Sequence, residues 1–286
     1  MRRDKLILFL FLLIGFGLLN YPFVSQWVNR RSQSEVISNY GDNVDLLAKE
    51  EKETMLAAAR AYNQNLADKQ SGLADGFTSS QTPDAEYESL LNLSGDGVMG
   101  YIEIPTIEVM LPVYHGTGAH ALSEGAGHLF QSSLPVGGED THTVISAHTG
   151  LASKAMFTDL DKLEAGDHFF IHVQDEVLAY EVNDIAVVEP QDTEKLKIVP
   201  GEDLATLVTC TPYGINSHRL LVQGVRVPYD PEEQALDPDD KESGFWVWCR
   251  RGFIASVVIL AAVALILMKP EKKGRKRKYE KEEPGN

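Results

Sequence analysis

Cys210, His148 and Arg219 are the residues of this 286-residue chain whose types and settings suit attack of a thiolate on a carbonyl. Cys210 follows the apolar run 205–209 and opens a turn containing Pro212, Gly214 and Asn216. Arg219 begins the next apolar run, residues 219–227. If these runs pair as antiparallel neighbours, Cys210 and Arg219 share one end of a sheet. A lone cysteine is more often a small buried hydrophobe, but this one leaves a strand for a polar turn, where reactive groups collect. A free thiol has a pKa of about 8.5, so little of it is thiolate at neutral pH, and it needs a cation or base nearby. Guanidinium stays protonated, so Arg219 acts by charge and hydrogen bonding. Another group must move protons.

Eight histidines compete for that task. His148 ends THTVISAHTG, where residues 143–146 read as a β-branched strand and Thr149-Gly150 starts a turn. It therefore occupies the same kind of strand-end position as Cys210, which suits general acid/base work. His218 adjoins Arg219, but successive strand residues point to opposite faces, so it is expected to face away. His168 and His172 lie inside the apolar run HFFIHV and read as packing or surface residues. His115, His120, His128 and His142 read as turn or loop residues. No HExxH or CxxC spacing and no D-x-D-x-D-G loop occurs, so neither a metal nor another cofactor is expected.

The elements that position these groups are mainly β. From Gly100 onward seven short runs of branched and aromatic residues alternate with turn signals, the spacing of a barrel or sandwich. A helical turn is expected at MFTDLDKL, residues 156–163. Upstream, residues 32–68 read as helical, with Asn43 or Asp45 as N-cap and Leu47, Met55, Ala58, Ala59, Tyr62 and Leu66 on the apolar face. Between helix and strands, SGLADGFTSSQT loses all periodicity and reads as a linker.

Both ends carry apolar segments. Residues 6–19 follow Arg2, Arg3 and Lys5, and residues 253–268 precede KPEKKGRKRK. Each is short of the roughly 20 residues a spanning helix needs, but Tyr21, Trp27, Phe245, Trp246 and Trp248 extend them with interfacial aromatics. The first segment reads as an uncleaved signal anchor rather than a cleaved signal peptide, because no small-residue cleavage site follows. Basic flanks place both termini in the cytoplasm and the region between outside the cell. Residues 29–244 hold 13 Lys and Arg against 37 Asp and Glu, a balance of −24 within the chain's −16. So acidic an exterior argues against nucleic acid as a partner; the basic tail is better matched to anionic lipid. Cys249 sits beside the second apolar segment, which leaves Cys210 without an evident disulfide partner.

The combined motifs resemble those of sortases, most closely the pilin-polymerising class C sortases. TLVTCTPYGINSHRLLV, residues 206–222, is close to the family pattern TLxTCTPYGxNTHRLLVxG, and residues 127–151 resemble its histidine region. Ser217 replaces the usual threonine, and Thr149 stands where many members have arginine. The resemblance implies Cys210 as nucleophile, His148 as general acid/base and Arg219 as the residue steadying substrate and oxyanion. It also implies a sortase-like eight-stranded β-barrel with N-terminal helices and a transmembrane helix at each end. Two N-terminal helices and a second anchor favour class C over the housekeeping class. Class C members carry a lid with an Asp-Pro-aromatic motif, and Asp75-Gly76-Phe77 is the nearest match here, although the same composition suits a plain linker. The substrates implied are pilin or surface proteins with LPXTG-like sorting signals, cleaved after Thr and joined to a pilin lysine.

The expected organisation is a membrane anchor at residues 1–28, a helical extension at 29–70 and a lid or linker at 71–86. The catalytic barrel follows at 87–228, then an acidic linker at 229–244, a membrane segment at 245–268 and a basic tail at 269–286. Two alternatives stay open: a housekeeping sortase attaching proteins to cell-wall precursor, and a non-catalytic, membrane-tethered binding module. A papain-like protease fits less well, because there the cysteine precedes the histidine.

Overall fold

Apolar side chains at alternate positions of the β-rich half bury one face of each strand, and the strands close on themselves. A computed structural model describes residues 3–68, 83–150, 154–231 and 244–268. Its strands are β1 (Val98–Ile104), β2 (Val109–His115), β3 (Ala126–His128), β4 (Thr141–Ser146), β5 (His168–Val173), β6 (Glu176–Val188), β7 (Asp203–Thr211) and β8 (His218–Val227). They form a closed barrel in the order β1-β2-β3-β4-β7-β8-β6-β5. Two contacts, β2 with β3 and β4 with β7, are parallel, and the others are antiparallel. Ile102, Leu111, Ile145, Phe169, Leu207 and Val222 fill the interior. A second cluster of Leu129, Val144, Leu196, Val208 and Leu221, with Val188 against it, forms apart from this core. Val144, Val208 and Leu221 alternate with the interior residues Ile145, Leu207 and Val222, so this cluster lies on the outer face of β4, β7 and β8.

The strand absent from the sequence reading is β3. Its three residues, Ala-Gly-His, have no β-branched member. They pair because β2 and β4 lie on either side, through Val113↔Ala126 and Gly127↔Ser146. Three histidines read as turn or loop residues are strand residues instead: His115 ends β2, His128 ends β3 and His142 lies in β4. The fourth, His120, lies in a short helix. The turn expected at 156–163 is present as a 3₁₀ turn at Leu160–Lys162.

Helix α1 (Arg3–Leu46) and helix α2 (Lys49–Asp68) meet at residues 47–48. Asn43 and Asp45 are therefore inside α1 rather than N-caps, and Asn43 instead donates its amide to Ser94 Oγ at 2.7 Å. The first turn of α2 is held by Glu51, whose carboxylate accepts from Ala48 N at 3.2 Å. Its buried stripe is Leu56, Ala59, Asn63 and Leu66, while Ala58 is exposed. Asn63 clasps the barrel in both directions, donating to Leu134 O at 3.0 Å and accepting from Leu134 N at 2.7 Å. Ion pairs from Lys52 to Asp175 (2.8 Å) and Arg60 to Glu176 (2.7 Å) join α2 to the β5–β6 hairpin. Tyr40 on α1 donates to Met99 O and accepts from Gln174 N, at 3.0 and 2.9 Å. Two further helices, α3 (Ala85–Ser89) and α4 (Ala119–Glu124), are short; α3 is capped by the Asp84 side chain, which accepts from Tyr87 N at 2.8 Å.

The chain divides into two units, Met1–Tyr21 with Gly244–Asn286, and Pro22–Ser243. Helix α5 (Gly244–Met268) belongs to the first. Within that unit Phe16 and Phe253 lie 6.3 Å apart, and Ser256 Oγ reaches Asn20 Oδ1 at 3.4 Å. Among the described residues no single helix is long and apolar enough to cross a membrane. A pair bent by 44°, Phe9–Leu18 with Asn20–Leu46, meets the requirement by length and composition, and Arg251–Ala264 is a shorter apolar helix.

Candidate active site

The antiparallel register of β7 and β8 places Cys210 directly opposite Arg219. Directly opposed residues share a face, with Cα atoms about 4.5–5.5 Å apart. Residues two along a strand share that face too, so Cys210 follows Val208 and Arg219 precedes Leu221 on the outer side of the barrel. His218 lies opposite Thr211, on the alternate pleat, with its Nδ1 2.8 Å from Ser217 Oγ.

His148 reaches the same level from the other side. The parallel ladder pairs Ser146 with Val208 and continues through Ala147 N, which donates to Val208 O at 3.1 Å. His148 is the next residue, two beyond Ser146 as Cys210 is two beyond Val208. Its segment is pinned from three directions. Thr209 Oγ1 donates to Ala147 O at 2.9 Å, Phe157 N donates to His148 O at 3.0 Å, and Gly150 N donates to Thr158 Oγ1 at 3.2 Å. Gly150 has φ +76°, and a Cβ there would stand 3.0 Å from the ring of Tyr213. The left-handed turn favours glycine there, and any Cβ would crowd that ring. Cys210, His148 and Arg219 are each half-buried, and Cys210 is a free thiol. The arginine Nη1 donates to His218 O at 3.0 Å and Asn216 O at 3.3 Å, so the guanidinium rests against the β7–β8 turn. Asp75 and Phe77 lie outside the described residues.

Two buried histidines have structural work that sequence reasoning missed. His128 Nε2 faces the carbonyl of Ser133 at 2.8 Å, so that nitrogen carries the proton and Nδ1 accepts from Tyr87 O–H at 2.9 Å. Burial pulls its pKa down to about 4. His142 Nδ1 likewise donates to Lys197 O at 2.8 Å while Nε2 accepts from Thr206 Oγ1 at 2.7 Å. Burial lowers its pKa as well. This histidine ties the connection between β6 and β7 to the outer face, where Leu196 from that connection seats among Val144, Val208 and Leu221. The result is a wall beside the row of His148, Cys210 and Arg219. The threonine before the cysteine in TLVTC was the one visible signal for Thr209; His142 had none, because its partners are remote in sequence.

A polar cleft of about 710 Å³ lies elsewhere, lined by Arg60, Asn63, Glu176, Asp203 and Arg226 among others. Asp203 starts β7 and Cys210 lies near its end, so the two are ~23 Å apart along the strand. Its lining includes none of His148, Cys210 and Arg219. Among the described residues no group of three His, Cys, Asp or Glu side chains is placed to hold a metal ion.

A sortase-domain family profile matches residues 102–227. The chain is 42% identical to sortase C1 of Streptococcus agalactiae, with a TM-score of 0.64, covering 68% of this chain and 100% of that one. Against sortase C of Streptococcus pneumoniae it is 49% identical, with a TM-score of 0.64 and coverage of 68% and 97%. Among curated relatives, sortase A of Streptococcus agalactiae is 34% identical over 117 residues, 40% of this chain and 47% of that protein. The chain thus spans about half the length of that relative. This chain belongs to the sortase family of cysteine transpeptidases, and its structural neighbours are class C sortases.

Proposed function

We propose that this chain is a class C sortase that cleaves an LPXTG-like sorting signal after Thr and joins it to a lysine amine of a pilin subunit. The observation that carries the reading is the shared level of His148, Cys210 and Arg219 across β4, β7 and β8. In the first step the Cys210 thiolate adds to the Thr carbonyl. Arg219, released from its turn carbonyls, stabilises the oxyanion, an effect worth about 2.7–4 kcal/mol per donor in other enzymes. Protonated His148 gives its proton to the departing glycine amine as the Thr–Gly bond breaks, leaving a thioester. In the second step the lysine nitrogen bonds to the thioester carbon, neutral His148 takes the amine proton, and the C–S bond breaks to return the thiolate.

The same reading places apolar segments at both ends in the cell membrane, with the barrel outside and both termini in the cytoplasm. Asp75 and Phe77 would form the lid, the aspartate pairing with Arg219 and the ring covering Cys210. Membrane lipid and substrate proteins bearing sorting signals are the partners.

Cys210→Ala should abolish both cleavage of a sorting peptide and polymer formation. Trapping the acyl-enzyme by intact mass, then releasing it with hydroxylamine, tests the thioester directly. Residual polymer from the alanine variant would refute the assignment. Supplying pilin alone or a cell-wall amine alone separates pilin polymerisation from cell-wall attachment by product.

A further inference from the structure

Strand β6 outruns its neighbour. The β5–β6 ladder ends at His168↔Glu181, followed only by Gly166 N to Val182 O and Val182 N to Asp167 O, at 2.9 and 2.8 Å. On its other side β6 stays paired with β8 as far as Val188↔Arg219, after a bulge between Val182 and Asp184. From residue 183 to 188, therefore, β6 has one bonded edge and one edge that no described strand occupies. About half of the backbone N–H and C=O groups of such a stretch point off the free edge. Its inward side chains are uncovered for the same reason. Ile185 and Val187 share a face with Val222 and Leu220, yet they are 40% and 60% exposed where Val222 and Leu220 are 0% and 5%.

Natural proteins usually blunt such an edge, because a row of unmet donors and acceptors recruits another extended chain. This one lies beside the chemistry. Val188 stands opposite Arg219, which stands opposite Cys210, so β6 is two strand spacings, ~10 Å, from β7.

We propose that the free edge of β6, residues 183–188, docks an extended segment of the protein that supplies the attacking amine, adding it as a further strand. The inference rests on the acyl-transfer reading above. The edge chemistry selects the occupant, since only an extended backbone can meet alternating N–H and C=O groups while Ile185 and Val187 take apolar side chains. Charge selects it further. Glu181 and Glu189 flank the stretch and Asp184 lies within it. Lys195 meets Asp184 at 2.6 Å and His168 stands 3.8 Å from Glu181, and the balance left is acidic, so a lysine-bearing segment is drawn here. A second copy of this chain would bring the same carboxylates against each other. On the acyl-transfer reading above, the sorting signal takes the outer face that carries Cys210 and Arg219, away from this edge. Strand addition holds the acceptor protein by the residues flanking its lysine, while the chain leaving the dock carries the amine to the thioester.

The experiment acylates the protein with an LPXTG-type peptide and compares acceptors. Hydroxylamine needs no dock; Nα-acetyl-lysine amide offers an amine alone; the peptide Thr-Val-Thr-Val-Lys amide offers an amine on an extended segment. Two net backbone hydrogen bonds predict about tenfold or more in kcat/KM for the extended peptide over the lysine amide. Methylating the valine nitrogens, or changing Val187→Lys or Ile185→Lys, should erase that advantage and leave the hydroxylamine rate unchanged. Equal rates for the two lysine acceptors would overturn the proposal, as would slower acylation by the donor peptide in Val187→Lys, or a dimer that this substitution dissolves. Should the variants fold poorly, the N-methylated peptide on the unaltered protein decides. Absence of any thioester would instead bring down the parent reading, and this one with it.

Discussion

The hydroxyl of Thr209 donates to the carbonyl of Ala147 at 2.9 Å, so the residue before the cysteine holds the residue before the histidine. Both are buried, each 3% exposed. Val in place of Thr keeps the shape and removes the donor, leaving a buried carbonyl unmet at a cost of about 1–3 kcal/mol. We expect Thr209→Val to lower kcat about tenfold with little change in KM, because the loss falls on the placement of reacting groups. Thr209→Ser should recover most of the rate. An unimpaired valine variant would show that the bond does not position His148.

Arg219 stands opposite Cys210 in the β7–β8 ladder and carries a planar fork of donors that a lysine lacks. Arg219→Ala should cut the acylation rate by about 10²–10³, the scale of losing one oxyanion donor. Arg219→Lys keeps the charge and should fall between, in single-turnover reactions with a sorting peptide. Equal rates for lysine and arginine would reduce the role to charge alone.

His128 makes stability depend on pH. In the folded protein its pKa is about 4, against about 6.5 for an unfolded chain. As pH falls through 6.5 the unfolded state takes up a proton that the native state refuses, so stability drops until about pH 4. That gap corresponds to about 3 kcal/mol, full above 6.5 and lost by pH 4. Urea denaturation from pH 7 to 4 should show the decline, and His128→Gln should flatten this part of it while starting less stable. An equal slope in the variant would assign the effect to other groups.

Phe77→Ala tests the lid. If the ring covers Cys210, the variant should react faster with a thiol reagent in the isolated protein, with no change in melting temperature. Identical labelling rates would remove residues 75–77 from any lid.

The pairing of Cys210 with Arg219 was legible because a short turn of Pro, Gly and Asn between two apolar runs fixes an antiparallel register locally. The level of His148 was legible only as a strand end. What brings it to Cys210 is a parallel ladder between segments more than 60 residues apart, for which no local signal exists. The helix boundary at 47–48 was hidden for a related reason. Asn43 looks like a cap in the text, but Ser94 takes its amide. Strand β3 was hidden by its residues, which have no preference for a strand until two neighbours impose one. His128 and His142 read as loop residues because Tyr87 and Lys197, which hold them, come from remote stretches.

The side-by-side, same-direction run of β4 and β7 has a further effect on how such a protein can change. Both strands deliver their cargo to one rim, and the chain must travel back the full height of the barrel between them. The loops of that return journey, outside β5 and β6, can lengthen, shorten or be rewritten while His148 and Cys210 keep their level. On the proposed function, new client proteins are accommodated by editing those loops, and the pair of His148 and Cys210 need not be rebuilt.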